Sequence, residues 1–161
     1  MKLLTKLMPA NFNLFLFGDK HEANSMSHED GWEQLVDMLH SNYGNLPASA
    51  NYACEHGDFI ESIAVDDPRY DPTVCTEPIP FEQTKIAISQ RKAIRKKYVF
   101  GLLGNHEWKL WRFGDLAKYI CNELEIPYGT WSTRVTYLYK RDQSLIFKHF
   151  AAHKCLSLIH I

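Results

Sequence analysis

Three short apolar runs, each followed closely by a glycine and an oxygen-bearing side chain, restrict how this chain can fold more than any other feature. The pairs that follow the runs are Gly18-Asp19 after 14–17, Gly57-Asp58 after 51–55 and Gly104-Asn105 after 98–103. Apolar runs of this length are typical of strands buried in a sheet. Glycine allows the backbone to turn where such a strand ends. The pattern therefore predicts three buried strands whose ends carry polar side chains.

The segments between the runs predict helices and a loop. Trp32, Leu35, Val36 and Leu39 recur at helical spacing, and Ser27 is the predicted N-cap. The other predicted elements are a loop over 66–80, helices over 81–95 and 108–124, and strands over 133–139 and 145–152. Strand and helix alternate up to this final hairpin, which predicts a layered α/β fold. Ligands collect at the carboxyl ends of strands in such sheets.

The composition indicates one domain with a hydrophobic core. The chain has 161 residues, of which 45% are apolar and 23% charged, and its formal net charge is −1. This charge excludes the overall basic surface of a typical nucleic-acid binder. Four scattered cysteines without a CxxC pair predict neither a zinc finger nor a dense disulfide framework. Pro9 interrupts the basic, apolar N-terminus and no run reaches about 18 apolar residues, so we expect a reducing, cytoplasmic location and no membrane contact.

The first polar cluster is Gly18-Asp19-Lys20-His21. Side chains two residues apart in extended backbone point the same way, so Asp19 and His21 can bind one ion together. Zinc, manganese and iron accept such mixed oxygen and nitrogen ligands. A hydrogen-bonded turn at a strand end is the alternative interpretation of this cluster.

The second and third clusters offer a bridging ligand and a proton donor. Asp58, in Gly57-Asp58-Phe59-Ile60-Glu61, can bridge two cations about 3.5–4 Å apart with its two oxygens. A helix N-cap is the alternative role for this aspartate. In the third cluster, Asn105 offers a carbonyl oxygen to a metal and His106 can protonate a leaving alkoxide. Glu107 is expected to orient that imidazole or to cap the following helix.

In this order, the segments GDKH, GDFIE and GNHE resemble the GDxH, GDxx[DE] and GNH[DE] signatures of calcineurin-like metallophosphoesterases. The resemblance implies an α-β-β-α sandwich with two divalent ions, which would be Mn, Fe or Zn. It implies that Asp19 and His21 bind the first ion. It also implies that Asp58 bridges the two ions and that Asn105 binds the second. The implied reaction is phosphoester hydrolysis, by a phosphatase or phosphodiesterase, in which a metal-bound hydroxide attacks phosphorus and His106 protonates the leaving group.

The resemblance implies one further histidine ligand at the end of a later strand, within LIFKHFAAH at 145–153. His153 is favoured because the ligand should stand at the carboxyl end of the strand, and His149 is the alternative. The family usually has glycine or histidine just after this ligand, whereas this chain has Lys154-Cys155.

The last six residues, LSLIHI at 156–161, match the translated end of a transposon adapter used in sequencing-library preparation. We therefore expect the metallophosphoesterase domain to occupy 1–155, the tail to be non-native, and a closing GHxH-like segment to be missing. His160 is for this reason not counted as a ligand. Fewer ligands for each ion predict weak metal binding and impaired activity for these 161 residues.

Two functions other than a phosphatase or phosphodiesterase are possible for such a domain: a binding scaffold and a nuclease. A metallophosphoesterase-like scaffold would bind a ligand without hydrolysing it. Such proteins are expected to lose motif residues. A nuclease of the same family would take nucleic acid as its phosphoester substrate, but the net charge of −1 gives that no support.

Two groups of residues are predicted to have structural roles only. A basic run is expected to form a solvated helix face, and it comprises Arg91, Lys92, Arg95, Lys96 and Lys97. Aromatic residues after the third cluster are expected to pack a helix against the core, and these are Trp108, Trp111 and Phe113.

Overall fold

The computed structural model describes residues 1–153. The predicted non-native tail at 156–161, with His160, lies outside the described residues. Within them the chain forms a mixed α/β fold of two three-stranded sheets and four α-helices. The strands are β1 (Lys2–Met8), β2 (Asn13–Phe17), β3 (Asn51–Glu55), β4 (Tyr98–Gly101), β5 (Ser132–Tyr139) and β6 (Leu145–Ala152). The helices are α1 (Glu29–His40), α2 (Pro80–Arg91), α3 (Asn105–Lys109) and α4 (Leu116–Glu123).

One sheet is formed by the three strands that the apolar runs predict. Its order is β2-β3-β4, and both pairs are parallel. The register pairs Phe17 with Glu55 and Glu55 with Gly101, so the three strands end at the same level. Because parallel strands share one direction, the three polar clusters emerge at one edge of this sheet.

The other sheet has the order β1-β5-β6 and contains a strand that was not predicted. The final hairpin, β5 with β6, is antiparallel as expected. β1, in the basic and apolar N-terminal segment, runs parallel to β5 with Lys2 opposite Thr133. This pairing joins the two ends of the chain, so it leaves no trace in the local pattern.

Two apolar clusters define the layers. One cluster joins the helices to the β2-β3-β4 sheet, and Trp32, Ala53 and Ile120 are among its members. The second fills the space between the two sheets, with Cys54 from β3 and Tyr137 from β5. Ala53 and Cys54 are adjacent in the sequence and face opposite sides of the sheet, as the period of a strand requires. Both faces of β3 are therefore buried.

Several helix boundaries differ from the predictions. His28, not Ser27, caps α1, and its Nδ1 accepts a hydrogen bond from Gly31 N at 2.7 Å. The Ser27 hydroxyl instead donates to Lys20 O at 2.7 Å. The predicted helix over 108–124 is divided into α3, a 3-10 turn and α4, and Gly114 with φ 116° lies at the break. No helix within residues 1–153 has the length and apolar character needed to cross a bilayer.

Candidate metal centre

Backbone hydrogen bonds bring the first two polar clusters together beyond the ends of β2 and β3. Asp19 N donates to Gly57 O and His21 N donates to Asp58 O, both at 3.0 Å. Glu22 N continues this pairing by donating to Phe59 O at 3.0 Å. The two loops therefore extend the sheet for a few residues and hold Asp19, His21 and Asp58 close to one another.

The loop backbones adopt conformations that side chains rarely tolerate. Asp19, His21 and Asp58 have φ values of 55°, 50° and 53°. Left-handed backbone at residues other than glycine is strained, and such strain concentrates at functional sites. Gly104 is required for a different reason, because a Cβ at this position would clash with the Asp58 carboxylate. The third cluster can approach the second this closely only with glycine at 104.

Asp58 lies at the centre of the site. Its side chain is buried, and Oδ1 accepts a hydrogen bond from His106 N at 2.9 Å. The other oxygen, Oδ2, is 3.8 Å from His21 Nε2 and 3.5 Å from His153 Nε2. One carboxylate oxygen thus faces imidazoles that arrive from two different loops.

The first group of possible metal ligands consists of Asp19, Asp58 and His153, whose donor atoms lie within 4.8 Å of one another. His153 Nε2 is also 2.8 Å from Asn105 Oδ1. The structure therefore places His153 beside three other predicted ligands. The alternative, His149, lies away from them, with Nδ1 at 3.4 Å from the Tyr137 hydroxyl.

The second group consists of His21, Glu61 and His106, and it contains a residue to which the sequence interpretation gave no role. His21 Nδ1 is 3.1 Å from Glu61 Oε2, within the distance of an ion pair. Burial opposes a charge on His21, yet the carboxylates of Glu61, Asp58 and Asp19 outweigh it and raise the pKa of His21. The acidic position that closes GDFIE was the available signal for Glu61.

The tautomer of His153 leaves its Nε2 and the side-chain oxygen of Asn105 as two acceptors that face each other. His153 Nδ1 contacts His56 O, so it must carry a proton and a neutral ring leaves Nε2 as an acceptor. That acceptor faces the Asn105 carbonyl oxygen, which is also an acceptor. A cation bound by both atoms would satisfy both lone pairs, and the donor set of imidazole, amide and carboxylate suits a divalent transition metal.

His106 is positioned in the same way. Its Nδ1 is 2.5 Å from the backbone oxygen of Glu61, and the other ring nitrogen is thereby left free. Its ring lies 4.3 Å from the ring of His21, centroid to centroid. Burial is the main reason that the pKa of His106 is lowered.

Glu107 ties the second and third loops together. Its buried carboxylate accepts from Ile60 N at 3.0 Å and from Gly104 N at 2.9 Å. It therefore caps α3, one of its two expected roles, while the Glu61 carbonyl, not Glu107, is the partner of His106 Nδ1. Burial, followed by the nearby charge of Asp58, raises the pKa of Glu107 to about 7.

Replacing Glu107 with glutamine should destabilise the fold. An amide has only one oxygen, so its NH₂ group would face one of the two backbone donors. We expect a loss of about 1–3 kcal/mol in the free energy of unfolding, measured by urea denaturation. Glu123→Gln, at an exposed position of α4, is the matched control and should change stability by less than about 0.5 kcal/mol. Equal effects of the two variants would contradict a bridging role for Glu107.

A network of buried ion pairs connects two of the segments that carry the site. Arg91 is fully buried, which makes the prediction of a solvated helix face wrong for this residue. Its Nη1 is 2.9 Å from Glu22 Oε1, and its Nη2 is 2.6 Å from Glu55 Oε1. Tyr98 donates to the other oxygen of Glu55 at 2.6 Å. Glu22 directly follows the first cluster and Glu55 ends β3, so Arg91 links the bases of two ligand-bearing loops.

The predicted packing role of three aromatic residues is confirmed only in part. Trp108, Trp111 and Phe113 are 44%, 48% and 69% exposed. Trp108 still contacts Trp131, which packs against the core, with the ring centroids 5.3 Å apart.

Three loops thus bring two groups of nitrogen and oxygen donors around the carboxylate of Asp58. Such an arrangement can hold cations, with a free imidazole nitrogen of His106 beside them. No protein-family model and no curated protein matches this chain.

Proposed function

We propose that this chain is a metal-dependent phosphoester hydrolase of the calcineurin-like metallophosphoesterase kind, with two divalent ions, Mn, Fe or Zn, at the ends of β2, β3 and β4. The observation that carries the proposal is the convergence of five polar residues on one buried carboxylate, that of Asp58. Four of them, Asp19, His21, Asn105 and His153, are the proposed metal ligands, and the fifth, His106, is the proposed proton donor.

The layering of the fold supports the same proposal. Helices cover one face of the β2-β3-β4 sheet, and the β1-β5-β6 sheet covers the other. This arrangement is compatible with an α-β-β-α sandwich of the kind that the motifs imply. The ligand-bearing loops stand where such sheets bind their ligands, at the carboxyl ends of parallel strands.

The residues divide between the two ions around Asp58. Asp19, Asp58, Asn105 and His153 would hold one ion, and His21 would hold the other together with Asp58 or Glu61. The ions, when bound, would lower the pKa of water and neutralise charge on the phosphoryl oxygens. This partition differs from the one that the motifs imply, because Asp19 lies with His153 while His21 lies with Glu61.

His106 is the proton donor in the proposed reaction. Hydrolysis adds water across the bond between phosphorus and the ester oxygen, so that oxygen needs a proton as it leaves. The Glu61 carbonyl accepts a hydrogen bond from Nδ1 in both protonation states, so the ring keeps its orientation when Nε2 takes up a proton and passes it to the ester oxygen. The lowered pKa of His106 favours release of that proton. The Asp58 carboxylate fixes the backbone of the same residue at 2.9 Å.

His106→Ala should lower the turnover number for an aryl phosphate monoester or diester by about 10²–10⁴-fold, the usual contribution of a positioned acid. The assay measures release of the aryl alcohol at millimolar Mn²⁺, which allows for weak metal binding. His40→Ala, at the exposed end of α1, is the matched control. Calorimetric titration with Mn²⁺ accompanies the assay. Binding of Mn²⁺ without any turnover by the unaltered chain would support the scaffold instead, and absence of both would refute the proposal.

A further inference from the structure

Two connected clefts are lined by the chain segments that directly follow Glu61 and His106. A polar cleft of about 190 Å³ lies between the loop after Glu61 and the end of α3, and its lining includes Ser62, Asp67 and Lys109. An apolar cleft of about 340 Å³ adjoins it. The two share four lining residues, namely Ala64, Asp66, Leu110 and Arg112. A single ligand can therefore occupy both.

Ser62 is an independent sign that the polar cleft binds a ligand. Its side chain is 1% exposed, yet within residues 1–153 its hydroxyl has no hydrogen-bond partner. Its φ of 58° is also a strained value for serine. A buried hydroxyl without a partner costs free energy, and a polar group of a ligand in this cleft would offset that cost. Ser62 directly follows Glu61, whose carbonyl holds His106.

The charges at the polar cleft connect it to the chemistry. Lys109 is three residues after His106 on α3, so the two side chains lie on the same side of this helix. Burial lowers the pKa of Lys109, while the carboxylates of Asp58 and Asp67 favour its charged form. An anionic phosphoryl group at the metal centre would be within the influence of this cation.

The apolar cleft has the size and walls of a site for a ring. Its lining includes the aromatic rings of Phe81 and Phe113, which are 47% and 69% exposed. Leu110, Leu116 and Ile79 also line it. The Arg112 guanidinium lies 4.6 Å from the centre of the Phe113 ring and holds it at the rim. Small-molecule sites are mostly concave, apolar spaces of about 300–1,000 Å³ with few polar groups. Exposed aromatic rings around such a space favour a flat apolar occupant.

We propose that the two clefts bind the alcohol part of the phosphoester substrate, and that this alcohol carries an apolar ring system. The inference rests on the proposed function for the identity of the ester. The phosphoryl group would lie at Asp58 and His106, the ester oxygen and its neighbouring polar atoms beside Ser62 and Lys109, and the ring between Phe81 and Phe113. After hydrolysis the ring leaves as the free alcohol.

Binding of the free alcohol tests the clefts without any need for turnover. Calorimetric titration of the whole chain with 1-naphthol, without metal, should give saturable binding. Phe113→Ala should weaken this binding by about 10-fold, which corresponds to 1.4 kcal/mol, whereas Phe150→Ala on β6 should not change it. Phe150 is the matched control because it is an equally exposed phenylalanine, at 62%. No binding, or equal weakening by both variants, would overturn the inference.

Turnover provides the second measurement. The ratio of kcat/KM for 1-naphthyl phosphate to kcat/KM for methyl phosphate should fall about 10-fold in Phe113→Ala and stay constant in Phe150→Ala. Naphthol binding without hydrolysis of either ester would sink the proposed function and leave the apolar site established. Hydrolysis of both esters with an unchanged kcat/KM ratio in Phe113→Ala would support the proposed function and overturn the inference about the clefts. Sedimentation measurements that show a dimer lost in Phe113→Ala would make a second copy the occupant, and this too would overturn the inference.

Discussion

Replacing Asp58 with asparagine should reduce metal-dependent phosphoester hydrolysis to the background rate and weaken Mn²⁺ binding more than any other single substitution. The variant keeps the size of the side chain and an oxygen that can accept from His106 N. It removes the negative charge that faces His21 and His153. Loss of a residue that merely supports a ligand costs about 10–100-fold in metal affinity, and loss of a shared ligand should exceed this.

The measurements for Asp58→Asn are calorimetric Mn²⁺ titration and aryl phosphate hydrolysis, each compared with Asp37→Asn. Asp37 is exposed on α1 and provides the same chemical change away from the site. Circular dichroism should show that both variants fold. If Asp58→Asn retained the Mn²⁺ affinity of the unaltered chain, the metal centre could not be organised around this carboxylate.

Replacing Arg91 with methionine should destabilise the fold by about 3–5 kcal/mol, the usual result of removing one partner from a buried ion pair. The carboxylates of Glu22 and Glu55 are 2% and 0% exposed. Without the guanidinium, the Tyr98 hydroxyl would be the single side-chain donor left to Glu55 within residues 1–153. Methionine keeps most of the length of the side chain, so the loss reports on charge and hydrogen bonding more than on volume.

The free energy of unfolding of Arg91→Met is measured by guanidinium denaturation beside Arg95→Met. Arg95 pairs with Glu125 at the surface, where an ion pair contributes about 0–1 kcal/mol. Adding Glu55→Gln to Arg91→Met should recover part of the loss, because one unpaired buried charge is then removed. A loss below about 1 kcal/mol in Arg91→Met, typical of a surface position, would show that the network does not stabilise this chain.

Local patterns were sufficient to predict the strands that carry the site. The apolar runs gave β2, β3 and β4 close to their observed positions, since buried strands need continuous apolar residues and glycine marks their ends. Parallel pairing then placed the three clusters at one edge. β6 followed from its strand pattern, whereas His153 just after it was favoured only through the family resemblance.

Contacts between residues far apart in the sequence decided the burial of Arg91 and the pairing of β1, which local patterns could not predict. The basic run containing Arg91 predicts a solvated surface, but carboxylates from two distant loops surround this residue. β1 pairs with a strand from the other end of the chain. Neither partner is near in the sequence, so neither affects the local distribution of apolar and charged residues.

For this protein, the sequence alone determined which residues stand at the strand ends and which chemistry they offer. The tertiary structure alone decided how they are grouped, with Asp19 beside His153 and His21 beside Glu61. It also decided that the chain segments after Glu61 and His106 enclose the clefts lined by Ser62 and Phe113. The physical reason is that residue type fixes the donor atoms, whereas the direction of a side chain depends on the loop backbone and on the distant residues packed against it.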